Sequence, residues 1–150
     1  MQPQMLAPAA VLVLWSLVML FWTAGTRLPA LTKSGMNLSQ AKPGGRGQDL
    51  EGVLPDKVNW KAHNYSHLME QPTIFYPAVI ILALMGAGAI DVALGWAYVL
   101  VRIVHSIYQA TVNVVKVRFL LFLLSTGCLA VLAVRAVLAT LFADPGVVLS

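Results

Sequence analysis

Charge is what this sequence has least of. Only 11% of its 150 residues are Asp, Glu, Lys or Arg, against about a quarter in a typical soluble domain. Hydrophobic residues make up 59%, so most side chains cannot face water and a soluble globular fold is excluded. Acidic residues are scarcer than basic ones, six against ten, for a net charge of +4. That surplus does not imply nucleic acid, because the basic residues lie in loops between apolar runs and not on one soluble face. In such a chain they report orientation first. Cysteine is nearly missing: Cys128 stands alone inside an apolar run, cannot close an intrachain disulfide, and reads as inert packing. No internal repeat is visible, and the length predicts one domain spanning residues 1–150.

What is present is long apolar runs. The first, about residues 7–28, is long enough to span a bilayer. It lacks the positive n-region of a signal peptide, so it is expected to be a membrane span. A polar stretch over residues 29–61 follows, rich in turn formers at Ala41–Gln48 and expected to be irregular there. Pro55 and Asp56 predict a helix start ahead of the second run. That run covers about residues 62–89, with Pro72 and Pro77 expected to kink it, and it closes on the turn-like Gly86-Ala87-Gly88-Ala89. The third and fourth runs cover about 91–114 and 117–142, and Asp144-Pro145-Gly146 closes the last. The fold class is therefore all-α membrane protein, an up-down bundle of four transmembrane helices.

The loop over 29–61 carries Lys33, Lys42, Arg46, Lys57 and Lys61, and the connection before the fourth helix carries Lys116 and Arg118. The opposite side holds only Asp91 and Asp144. Positive-inside counting places both basic loops in the cytoplasm and both termini on the other side. The sequons at Asn37 and Asn64 would then face the cytoplasm and are read as chance.

Ionisable residues inside spans are expensive and point to function. On the second helix, His63, His67 and Glu70 fall at i, i+4, i+7 and share a face, with Ser66 nearby. Glu70 is expected to turn inward and find a cation, either as a ligand-site carboxylate or in a structural ion pair. On the third helix, Tyr98, Arg102, His105, Ser106, Gln109 and Asn113 form one polar stripe. Arg102 falls near the midplane, and Glu70 is its expected partner. The simpler reading of the stripe is helix-to-helix hydrogen bonding, each bond worth roughly 1 kcal/mol. Arg118 alone would be an interface anchor, yet it shares the cytoplasmic end with Glu70, Gln109 and Asn113. Arg135, about 25 Å further along the helix, is expected to snorkel to the outer interface. The three histidines and Glu70 could in principle hold a metal, but facing-helix sites usually use more carboxylates, so none is expected. One thin bundle cannot shelter this many polar groups, which predicts a subunit interface.

The segment Arg102-Ile103-Val104-His105-Ser106-Ile107-Tyr108 resembles the third-helix signature of the MAPEG family, the membrane-associated proteins in eicosanoid and glutathione metabolism. Glu70, followed by Pro72, Phe75 and Tyr76, resembles the glutamate of that family's second helix. The resemblance is to a bacterial-type member and covers essentially the whole chain. It implies a homotrimer in the bacterial inner membrane, with glutathione as co-substrate between subunits on the cytoplasmic side. A lipophilic small molecule would enter from the surrounding lipids. By resemblance Glu70 would hold the glutathione amino end, Arg102 and His105 would contact its peptide or carboxylate, and Arg118 would stabilise the thiolate. His67, Tyr108, Gln109 and Asn113 would complete the binding set. The chain departs from the pattern at Ser66 and His67, where the family reads Arg-Asn, at Gln109, where it has tyrosine, and at Phe119, where some members have serine. The first reading is therefore a glutathione-dependent transferase or peroxidase. The alternative is a non-catalytic lipid-binding or accessory subunit of the same fold. An ion path along the Tyr98–Asn113 stripe is a third, and the apolar Val92–Ala97 stretch speaks against it.

Overall fold

The computed structural model describes residues 2–143; the Asp144-Pro145-Gly146 stop lies outside them. Five α-helices follow in order: α1 (Gln2–Lys33), α2 (Asp56–Leu68), α3 (Pro72–Leu84), α4 (Ala89–Thr111) and α5 (Val115–Leu141). Short 3-10 turns at Leu38–Gln40 and Gly47–Leu50 lie in the α1–α2 loop. Helices α2 and α3 together form one crossing unit, Asp56–Leu84, so four units are long and apolar enough to cross a membrane.

Helix α1 extends about five residues beyond the apolar run at each end. Hydropathy marks where the membrane is, whereas the helix runs on through Pro8 and Pro29 and ends just before Gly35, which takes φ 72, a left-handed conformation typical of a helix stop. The turn between the second and third crossings falls at Met85–Gly88, where Gly86 takes φ 89, a left-handed conformation that glycine adopts without steric cost.

The largest departure from expectation is at the second crossing. Instead of a kink, the helix breaks: α2 stops at Leu68 and α3 restarts with Pro72 in its first turn. Pro72 has no N–H to give the carbonyl one turn back, and its ring excludes a continuous helix there. The chain crosses the gap on tight turns, with Met69 N–H donating to Ser66 O (3.0 Å) and Glu70 N–H to His67 O (3.3 Å). Pro77 stays within an unbroken α3.

Helix α1 packs on α2, α3 and α4, and α5 packs on α4 and α3. Cross-links fix the register. Thr23 donates to Lys61 O (3.0 Å), the Trp15 indole to Ser106 (3.0 Å), and Arg102 to His67 O (3.0 Å). Between these polar ties lies an apolar core in which Met5, Leu12, Phe75, Val79 and Leu132 are fully buried, and Phe75 stacks on Tyr98 at 4.2 Å. Large apolar side chains such as Phe21, Leu84 and Leu141 cover the outside of the bundle, as a helix surface bathed in lipid requires.

At one end of the bundle Arg135 does not simply snorkel. Asp91 is buried, accepts the Gly88 N–H (2.8 Å), and forms an ion pair with Arg135 through its Nε and through Nη2 (3.0 Å). The same carboxylate caps α4 and fastens α5 to it, which spacing along α5 alone could not reveal.

The break itself is held by Gln71. Its Nε2 donates to Thr126 (2.8 Å), and its Oε1 accepts from Tyr98 (3.3 Å) and Ser125 (3.4 Å). Gln71→Leu keeps the bulk and removes all three bonds. It is expected to lower unfolding stability in mixed micelles by about 1–3 kcal/mol, given roughly 0.6–1.7 kcal/mol for a strong bond within a membrane. An unchanged unfolding curve would mean the break is set by Pro72 alone.

Candidate functional site

The polar stripe of α4 turns inward as its period requires: Tyr98, Arg102, His105, Ser106 and Gln109 are all buried. The stripe ends where α4 ends. Asn113 takes φ 59, a left-handed conformation that Asn tolerates better than most residues. The turn places its side chain over the start of α5, and Arg118 Nη1 donates to Asn113 Oδ1 at 2.7 Å. Arg118 is half-buried and turns toward the α4–α5 connection.

A cavity of about 230 Å³ opens beside these groups, lined by His67, His105, Arg118, Val115, Phe119 and Phe122. Three nitrogen-bearing side chains and three apolar ones share the lining. The His67 and His105 rings lie 6.1 Å apart, centroid to centroid. Behind them Arg102 is fully buried, and only its Nη2 has a partner, the His67 carbonyl. Its Nε and Nη1 have none among the described residues.

The His67 carbonyl also accepts the Glu70 N–H (3.3 Å), so the guanidinium is a second donor to it, and a cation there complements the negative end of α2. Arg102 thus caps α2 and at the same time fixes His67 against His105.

The expected pairing of Glu70 with Arg102 does not occur within the chain. Glu70 falls in the break itself, with its side chain 67% exposed and its carboxylate 4.0 Å from His67 Nδ1. His63, one turn before His67 on the same unbroken α2, pairs with Glu51 of the loop. Tyr108 is partly buried and does not line the cavity, and Gln109 is buried with its Oε1 unpartnered. So His67, His105, Arg118 and Asn113 come together, Arg102 stands directly behind them, and Glu70, Tyr108 and Gln109 stand apart from the cavity. Among the described residues no three His, Cys, Asp or Glu side chains converge as metal ligands.

Three polar residues of the interior carry no warning in the ionisable pattern. Gln71 and Ser125 hold the break, and Asn64 is buried with neither side-chain polar atom partnered among the described residues. The visible signal for the first two is polar side chains placed against Pro72 and in the middle of the apolar α5 run. Asn64 falls one turn beyond Lys61, on the side of α2 that packs on α1 and α4.

Comparison with known families now decides the relationship. The sequence model of the MAPEG family matches residues 5–138. The chain belongs to the MAPEG family. No curated protein and no solved structure gives a significant match. As a MAPEG protein with four apolar crossings, it is an integral membrane protein of the eicosanoid and glutathione metabolism family. In this MAPEG chain the α4 stripe, the His67–His105 pair and Arg118 all lie within the matched segment.

Asn113 has two roles, a left-handed backbone and an acceptor for Arg118, and two substitutions separate them. Asn113→Gly should keep the turn and free Arg118. Asn113→Ala should free Arg118 and also strain the turn by about 1–2 kcal/mol. Thermal unfolding in detergent is expected to rank alanine below glycine. Equal melting temperatures would show that the backbone conformation is not what Asn113 supplies.

Proposed function

We propose that this MAPEG protein is a glutathione-dependent transferase or peroxidase acting on a lipophilic substrate. The observation that carries the reading is the cavity at the α4–α5 junction, lined by Arg118, His67 and His105 together with Val115, Phe119 and Phe122. The nitrogen-bearing side chains fit an anionic, peptide-like thiol, and the apolar ones fit a second substrate arriving from the bilayer. When bound, glutathione supplies the nucleophilic sulfur for addition to an electrophile or reduction of a hydroperoxide.

The chain's own part is electrostatic. A free thiol of this class has a pKa of about 8.5 and is mostly protonated at neutral pH. A guanidinium close to the sulfur favours the thiolate, and Asn113 orients Arg118 for that task. His67 and His105 offer ring nitrogens to carboxylate or amide groups, and Arg102 adds positive potential from behind. Phe119 and Phe122 keep that corner of the cavity dry, which strengthens each of these interactions.

The functional unit in this reading is a homotrimer. Ligand sites usually enclose about 300 Å³ or more, and one chain provides about 230 Å³. Glu70, on a membrane-crossing segment with its side chain 67% exposed, calls for a neighbour or ligand to cover it. Glu70, with the partly buried Tyr108, would then complete the site of an adjacent copy, while Gln109 stays inside its own chain. The basic loops favour an orientation with both termini outside the cytoplasm, in keeping with an inner-membrane protein. A non-catalytic accessory role is the second reading, favoured by Tyr108 standing off the cavity while Gln109 takes the tyrosine position of the family.

Arg118→Lys keeps a cation and loses the planar fork, so glutathione-dependent turnover should fall at least tenfold while cross-linked trimers persist. Thiolate absorbance of bound glutathione near neutral pH should be present in the wild type and lost in Arg118→Ala. A wild-type protein that binds no glutathione, or binds it without thiolate absorbance, refutes the catalytic reading in favour of the accessory one. Cross-linking in mild detergent that yields monomers alone refutes the trimer.

A further inference from the structure

A second, larger cavity of about 750 Å³ lies away from the α4–α5 junction, between the C-terminal turns of α1 and the loop that follows it. Its charge is one-sided. Arg27, Lys42 and Arg46 line it, with Asp49 as the lining carboxylate. Asp49 already accepts the Arg46 backbone N–H at 2.8 Å. None of the three cations pairs with a carboxylate among the described residues.

Arg27 is held in place for such a site. Its Nη2 donates to Gly47 O at 3.1 Å, while its Nε is buried with no partner. Gly47 is what allows this seat, because a Cβ there would come within 2.7 Å of Arg27 Nη1. The rest of the lining is apolar, with Leu28, Leu31 and Leu38 among it.

The cavity lies at the depth of lipid headgroups. Helix α1 has 32 residues, about 48 Å of helix against a hydrocarbon core of about 30 Å, so its last turns leave the core. Trp22, with the Lys61 ammonium 5.2 Å over its ring, marks the interface just below Arg27. From the cavity an uncovered apolar stripe, Leu28, Phe21, Leu17 and Leu14, runs back down α1 at helical spacing. A cationic pocket at headgroup level that continues into an apolar stripe matches a molecule with an anionic head and hydrocarbon tails.

We infer that this cavity binds an anionic phospholipid of the adjacent leaflet, its phosphate among Arg27, Lys42 and Arg46 and its acyl chains along the α1 stripe. The lipid would tie the α1–α2 loop to the end of α1 and to the membrane surface. This assignment needs only the membrane-spanning fold and is independent of whether glutathione binds.

The test is native mass spectrometry of the purified full chain in maltoside micelles, titrated with dioleoyl phosphatidylglycerol or dioleoyl phosphatidylcholine. The first phosphatidylglycerol is expected to bind at least tenfold more tightly than phosphatidylcholine. Each cation removed, by Arg27→Gln, Lys42→Gln or Arg46→Gln, should weaken it about fivefold. Lys116→Gln, an exposed cation outside the cavity, should leave it unchanged. The Lys42 and Arg46 side chains make no hydrogen bond among the described residues, so the double variant Lys42→Gln/Arg46→Gln keeps the fold if Arg27→Gln does not. Equal affinity for the two lipids, or a preference that survives the double variant, overturns the proposal. Displacement of phosphatidylglycerol by millimolar inorganic phosphate would overturn it in favour of a soluble anion.

Discussion

The contact between Arg102 and the carbonyl end of α2 is the one on which the rest of the interior depends. A broken helix in a membrane exposes backbone carbonyls that no water can reach, each costing several kcal/mol if left bare. Pro72 denies the Leu68 carbonyl its helical donor, and one residue earlier Arg102 reaches across from α4 to the His67 carbonyl at 3.0 Å, as a second donor beside the Glu70 N–H. Gln71, Tyr98, Ser125 and Thr126 close the other side with side-chain bonds. The two arrangements bind α2, α3, α4 and α5 at one level of the bundle. They also set where His67 lies, because the carbonyl that Arg102 holds is His67's own. The cavity at the α4–α5 junction therefore borders the level of the bundle at which the second crossing breaks.

Much of this could be read in the sequence, and the reason for each success or failure is periodicity. The four crossings and the Gly86 turn were legible because length and hydropathy alone define them. The α4 stripe was legible because α4 is a continuous helix from Ala89 to Thr111, so positions separated by three or four share a face. The second crossing defeats the same rule. His63 and His67 keep their shared face within α2, but Glu70 falls past its last residue, Leu68, in the turns at Met69–Gln71, where helical phase no longer holds. Glu70 therefore points outward, and Arg102 bonds a backbone oxygen instead of a carboxylate. The Asp91–Arg135 pair was missed for a different reason: the two residues are 44 positions apart, and no pattern along one helix can report which residue of another helix it meets. The cavity between α1 and its loop was missed because irregular backbone brings Arg27, Lys42 and Arg46 together without any period.

The two ends of the bundle satisfy their charges differently. At the end where α4 begins, Asp91 meets Arg135 and the Gly88 N–H. Charge and hydrogen bonds balance within the chain, and a closed structural junction results. At the other end the balance is missing. Arg102 retains two unpartnered nitrogens, Arg118 is bound only to a neutral amide, and His67 and His105 add further donors. The one nearby carboxylate, Glu70, turns away. A cluster like this is unfavourable in a membrane interior unless something negative completes it.

That imbalance separates a structural role from a binding one more sharply than residue identity does. Helix-to-helix glue would leave donors and acceptors matched, as they are around Gln71 and around Asp91, because each unmatched group in hydrocarbon is a loss with no return. The surplus beside the α4–α5 junction is mainly of donors, with the Gln109 Oε1 as an unpartnered acceptor among them, and it borders a cavity. In the proposed reading its complement is an anionic ligand, which the Arg118 guanidinium and the two imidazoles would meet in a cavity that no carboxylate lines. Glu70, exposed in the break before Pro72, stands outside that lining, so the backbone break keeps the carboxylate nearest His67 from filling the place of the ligand.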